Sequence, residues 1–286
     1  MSDNRRNLTL VIAGVLLAVF TAVCAFGLPS LSYFAKPHDA NAVDVASTQL
    51  AKQAGGDAEP LLHDALKRVL GYSSITARIE YSTRSPETNG SGHYWEQGAL
   101  QRRLELKLRG VESAGLLQIN NGKTLWTRCT TPRDTMTTEA PTAAPLHSPQ
   151  LHLAELGLPG LLSQLKQDYD LVLVGAGQLA GEQVFVIKGV LKRDALVRMT
   201  PTRAAEIQAG GFSAWSELPP GVPATLLIAL GSEDAIPRRI QLQTIADGAP
   251  LSSWPELPTE ESLTIDLRDV HANLELKHEV FARPPI

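Results

Sequence analysis

LLQINNGKTLWTR, residues Leu116–Arg128, is the stretch on which the fold turns. Two apolar, β-rich flanks enclose Asn120-Asn121-Gly122-Lys123. Asn and Gly accept the positive φ that a tight two-residue hairpin turn demands. The segment therefore predicts a β-hairpin with Trp126 just past its turn. Working outward, Leu104, Leu106 and Leu108 alternate with Glu105, Lys107 and Arg109, and Ile75, Ala77, Ile79 and Tyr81 alternate with polar partners. Such period-two patterns predict antiparallel strands with one covered and one wet face. Between them NGSGHYWEQG (89–98) supplies a turn and a short aromatic strand.

Helical spacing is confined to a few places. Leu61, Leu62, Ala65, Leu66, Val69 and Leu70 predict a helix over 60–71, with Pro60 at its first position. Helical signals resume at 151–156, and a second helix starts at Pro159 with Leu161, Leu162 and Leu165 on one side. Residues 199–209 hold one more short helical pattern. Strand patterns return at 169–174, 183–190, 223–230, 236–245 and 263–270. The Thr- and Pro-rich run 131–150 has almost no core former and is expected to be a flexible surface insertion. Hairpin-length links predict an α+β fold: a single curved antiparallel sheet, an unclosed half-barrel covering a few helices.

Ahead of this domain, Leu8–Leu28 carries no charge and is long enough to cross a hydrocarbon core as one helix. Arg5 and Arg6 precede it, which puts residues 1–7 in the cytoplasm and the rest of the chain outside. The competing reading is a cleaved signal peptide, whose apolar core is shorter and ends in a small-x-small site. Length favours a transmembrane anchor, followed by a spacer over 29–59 and one domain over 60–286. The expected location is the inner (cytoplasmic) membrane, single-pass, with the bulk of the chain periplasmic.

Several functions are disfavoured. A formal charge of −4 and the lack of a basic stripe argue against nucleic acid as a partner. The 2 cysteines, Cys24 and Cys129, form neither a disulfide framework nor a zinc spacing. YDLVLVGAGQLAG (169–181) contains the looser G-x-G-x-x-A form of the dinucleotide fingerprint. The fingerprint needs a helix next, whereas Glu182–Ile187 reads as a strand, so the glycines are expected in a loop between antiparallel strands. The 7 histidines show no ligand spacing, and no G-x-S-x-G elbow is present. No catalytic residue, metal or cofactor is assigned, and the chain is not expected to be an enzyme.

On these residues the chain resembles a known family. QINNGKTLWT is similar to the G-x-x-L-W hairpin of the LolA/LolB-like and LppX-like lipoprotein and lipid carriers of bacterial envelopes. The resemblance is nearest to membrane-anchored LolA-like proteins of planctomycete type. LLHDALKRVLGYSSITARIEY, GHYWEQG with RRLELKLRG, the stretch 156–192, and the closing strands resemble the same pattern, so coverage is about residues 60–286. The anchor and the insertion at 131–150 depart from soluble shuttle carriers. The resemblance implies an apolar cavity that holds a lipid or acyl group. Leu104, Leu106 and Leu108 on one strand, Leu161, Leu162 and Leu165 on the helix, and Trp126 nearby would line it. The alternative is an envelope protein-interaction or sensor module with a filled core and an unknown protein partner. An apolar cavity of about 300 Å³ or more separates the first reading from the second.

Overall fold

The computed structural model describes residues 56–83, 89–109, 114–141, 153–209, 223–245 and 259–284. The apolar run 8–28 and most of the spacer lie outside the described residues. Among the described residues no helix is long and apolar enough to cross a membrane.

Twelve strands form one antiparallel sheet in the order β1-β8-β9-β10-β11-β12-β2-β3-β4-β5-β6-β7. They are β1 Gly56–Asp57, β2 Ser74–Thr83, β3 Gly90–Gln97, β4 Gln101–Leu108, β5 Gly115–Asn120 and β6 Thr124–Thr130. Then follow β7 Thr135–Pro141, β8 Tyr169–Leu179, β9 Glu182–Leu191, β10 Thr225–Gly231, β11 Pro237–Ile245 and β12 Thr259–Ala272. Two meanders, β2 to β7 and β8 to β12, meet at a seam where β12 pairs with β2, as in Ile265 opposite Tyr81 and Leu267 opposite Ile79. Register shifts occur within β8–β9, β10–β11, β11–β12 and across the seam. Each such bulge bends a strand and adds right-handed twist. The register shifts among the described strands lie in the second meander and at the seam.

Four α-helices are described: α1 Glu59–Gly71, α2 Leu153–Asp168, α3 Arg193–Met199 and α4 Ala204–Gln208. The apolar side of α1 buries Leu62, Ala65 and Val69. They join Leu158, Leu161, Leu162 and Leu165 of α2, Leu196 of α3 and Ile207 of α4 in one cluster. The sheet contributes Ile79, Tyr94, Leu104, Leu106, Ile187, Ile228, Ile240 and Ile265 to that same cluster. This face of the sheet is the inner one. The unclosed antiparallel half-barrel with a few helices predicted from periodicity is the architecture observed.

Four expectations need correction. Thr135–Pro141, taken as part of a flexible insertion, forms β7 and pairs along its length with β6. Its composition lacks core formers, but three threonines are good strand residues when only one edge needs pairing. The two-residue turn of the hairpin at 116–128 falls on Gly122-Lys123, at the end of the Asn120–Lys123 run and not at its centre: Asn120 pairs with Leu125, the Asn121 amide donates to the Thr124 carbonyl at 3.3 Å, and Gly122 has φ 85°. The Asn121 side chain accepts hydrogen bonds from the Lys123 and Thr124 amides at 3.0 and 2.9 Å. Gly175 and Gly177 lie inside β8, at and after its bulge, and the turn falls at Ala180-Gly181. The spacer ends early, because Gly56–Asp57 already pair with Val172 and Leu173 of β8.

The β8–β9 turn yields a prediction. Ala180 and Gly181 have φ of 52° and 87°, the two positive values of a type I′ turn. An L-residue with a Cβ is strained there. Ala180→Gly is expected to raise stability by ~0.5–1 kcal/mol, read as a higher denaturant midpoint at unchanged slope.

Candidate functional site

The seven residues expected to line a cavity separate into three groups. Leu104, Leu106, Leu161, Leu162 and Leu165 do meet between sheet and helices, at 6%, 6%, 1%, 0% and 4% exposure. They belong to a packed cluster that continues through α1, α3 and the second meander. Leu108 ends β4 half-buried. Trp126 lies on the other face of the sheet. It sits opposite Ile119 and forms a buried cluster with Leu117 and Ile119. The one-residue offset in phase between Gln118 and Ile119 decides this: Gln118 pairs with inward Leu104, so Ile119 and Trp126 point outward.

The C-terminal segment runs beside that outer face. Arg103 of β4 donates to the Val280 carbonyl at 2.7 Å, and its guanidinium stands 5.8 Å from the Trp95 ring centroid. Farther along, Arg283 forms a two-pronged ion pair with Glu139 of β7. That pairing holds the Glu139 carboxyl below its ordinary range. Residues 280–283 thus strap the outer face from β4 to the last strand, with Phe281 buried.

The most structured polar group lies inside, where α2 breaks. Gly157 has φ 69° and ψ 177°, which divides LAEL from LPGLLSQLKQD. A helix break leaves carbonyls without partners before it and amides without partners after it. Three strands of the first meander fill both needs. Asn120 donates to the Ala154 and Glu155 carbonyls at 3.2 and 3.1 Å. Arg102 donates to the Glu155 carbonyl at 2.8 Å and also to the Ala99 carbonyl. Past the break, the Glu96 carboxylate accepts from the Leu158 amide at 3.1 Å. The cation therefore meets the negative end of one helical piece and the anion the positive end of the next. Glu96 also accepts from Arg102 Nε at 3.2 Å and from the Tyr94 hydroxyl at 2.8 Å.

Burial pushes the Glu96 carboxyl up, and the facing Arg102 charge, the Leu158 amide and Tyr94 oppose the rise. The Tyr94 hydroxyl is raised well above its usual range by burial and by Glu96. All these groups are spoken for by one another, so the arrangement holds the helix break against the sheet and offers no free acid, base or nucleophile. Sequence reading missed it, although a signal existed. Arg102 shares the phase of Leu104 and Leu106, and Glu96 that of Tyr94, which places a cation and an anion on an apolar face.

Two recesses border the described residues. One, of about 20 Å³ and so room for one water, lies beside Glu96 between Val69, Ile75 and Pro159. The other, about 130 Å³, lies between the β8–β9 turn and the outer ends of β11 and β12. Its arginines are paired: Arg238 with Glu182 at 2.5 Å and Asp234 at 2.8 Å, Arg239 with both oxygens of Asp266 at 2.6 and 2.7 Å, and Arg268 with Glu80 at 3.1 Å. Neither recess is lined by any of the seven residues expected to form the cavity.

No protein-family profile matches the chain, and no curated protein matches it. Solved structures do. The MucA/MucB complex of Pseudomonas aeruginosa is similar at 12% identity over 78% of this chain and 61% of that one, with a TM-score of 0.41. The lipoprotein LppX of Mycobacterium tuberculosis is similar at 11% identity over 77% of this chain and 98% of that one, with a TM-score of 0.41. A putative outer membrane lipoprotein-sorting protein domain from Vibrio parahaemolyticus is similar at 11% identity over 77% and 95%, with a TM-score of 0.32. The chain spans 61% of the length of the first of these matches.

Proposed function

We propose that this chain is a membrane-tethered, extracytoplasmic adaptor or sensor module that acts by binding a protein partner, with no catalytic step. The observation that carries this reading is the filled interior. Leu158, Leu162, Ile187, Ile228 and Ile236 are all at 0% exposure between sheet and helices, where a carrier keeps room for an acyl chain. The uncharged run 8–28 behind Arg5-Arg6 supports the tether, with the domain on the periplasmic side of the inner membrane. The sequence stretches quoted above support a place beside the membrane-anchored, planctomycete-type LolA-like proteins. Those stretches also support the second reading, in which the half-barrel holds a lipid or acylated group.

Two measurements separate the readings. Native mass spectrometry of the full chain, extracted from its own membrane, is expected to show a bound polypeptide and no lipid at one-to-one ratio. In a denaturant titration, Leu162→Ala is expected to cost ~3 kcal/mol, because a fully buried side chain leaves a void that its neighbours cannot fill. Wild-type protein is expected not to take up a fluorescent fatty acid. Stoichiometric uptake of that probe, with a Leu162→Ala loss below ~1 kcal/mol, would return the chain to the carriers.

A further inference from the structure

We infer that the free edge of β7 pairs with the β7 edge of a second copy of this chain, in antiparallel register about a two-fold axis at Thr138. The proposal goes beyond the partner-binding reading and stands on the strand itself. The sheet has two ends, and they are treated differently. At one end β1 covers part of β8 through Gly56–Leu173 and Asp57–Val172. At the other end, among the described residues, β7 pairs only with β6, and six of its seven residues are exposed.

An exposed edge presents a row of unpaired backbone donors and acceptors, which proteins blunt with charge, bulges or cover. Over Thr135–Ala140 β7 carries one charge, no bulge and, among the described residues, no covering strand. It has no lysine or arginine, no register shift, and three strand-favouring threonines. Its one charge, Glu139, is neutralised by Arg283. Pro141 lacks an amide hydrogen and sets the end of the usable edge.

The pattern of TMTTEAP is self-complementary. With Thr138 on the axis, Thr138 faces Thr138, Thr137 faces Glu139 and Met136 faces Ala140 of the other copy. Glu139 never opposes Glu139. Threonine pairs favour cross-strand contact, and Met136, 40% exposed, gains an apolar neighbour on one sheet face. Two half-barrels then share one continuous sheet. An isologous contact of this kind closes at two copies and leaves no β7 edge for a third.

The test uses the full chain in detergent micelles, with Cys24→Ser and Cys129→Ser as background. Thr138→Cys is expected to form an intermolecular disulfide under mild oxidation, because residues on the axis face each other at disulfide distance. Met136→Cys and Ala140→Cys chains are expected to cross-link when mixed, and neither with itself. Light scattering is expected to give a dimer mass for the unsubstituted chain and a monomer mass for Thr138→Lys at the same concentration, with unchanged circular dichroism. A monomeric unsubstituted chain overturns the proposal. So does a dimer that Thr138→Lys leaves intact while the mixed cysteine pair stays unlinked, or cross-linking of Thr138→Cys to a different protein. The mixed pair keeps the register testable if Thr138→Cys fails to fold.

Discussion

Arg102→Ala is expected to lower the free energy of unfolding by ~3–5 kcal/mol, the cost of breaking a buried ion pair from one side. The guanidinium is 9% exposed and Glu96 3%. Its removal leaves the carboxylate buried against Tyr94 and the Leu158 amide, and strips the Ala99 carbonyl of the donor it has in Arg102. The loss depends on pH with a definite sign. Burial already raises the Glu96 pKa, and Arg102 is the foremost group holding it down. Without Arg102 the folded-state pKa rises further above the unfolded one. A group raised in this way contributes stability below its unfolded pKa and loses it as pH rises through the folded value. The gap between wild type and variant should therefore be smallest in mild acid and widen toward neutral pH. Denaturant titrations at both ends of that range measure it. A loss under ~1 kcal/mol, or one that ignores pH, would mean that the pair does not hold the helix break.

Gly157→Ala is the second large effect, at ~3 kcal/mol or more. Its φ of 69° is strained for any residue with a Cβ, and that Cβ would stand 2.2 Å from both Arg102 Nε and Glu96 Oε1. The ion pair cannot keep its place. The physical link between the two substitutions makes a double-mutant cycle informative. In an Arg102→Ala background one of the two colliding groups is gone and Glu96 has room to move aside, so Gly157→Ala should cost less than in the wild type, the backbone strain of ~1–2 kcal/mol plus the remaining contact with Glu96. Strict additivity would show that the two sites act separately.

How much of this was readable in the sequence follows from what periodicity encodes. Alternation at 104–109 and 75–81 reports which side chains share a face, so the sheet, its antiparallel sense and the inward leucines were legible. It does not report which face a neighbouring strand presents. Trp126 was expected beside the helices because it follows an apolar hairpin, yet its pairing with Ile119 puts it outside. The insertion at 131–150 was judged by its lack of core formers, a measure blind to strands held by edge pairing alone. Gly157 and Pro159 did announce an interruption near 157–159. The partners of that interruption, Glu96, Arg102 and Asn120, come from strands far away in the chain. Only the register of β3, β4 and β5 brings them together.

The seam between β12 and β2 has a consequence for how the chain is made. The two meanders are built from neighbours in sequence, and local pairing of that kind forms quickly. The seam joins Thr83 to Leu263 and Ile75 to Ala272, across nearly the whole domain. Synthesis proceeds from the N-terminus, so β2 is complete long before its partner exists. Throughout that interval the Ser74–Thr83 edge, with Ile75, Ala77 and Ile79 along it, stands open to any other strand. Chains that stop short of residue 259 never close it. The last strand therefore ends the one period in which this sheet is most exposed to misassembly.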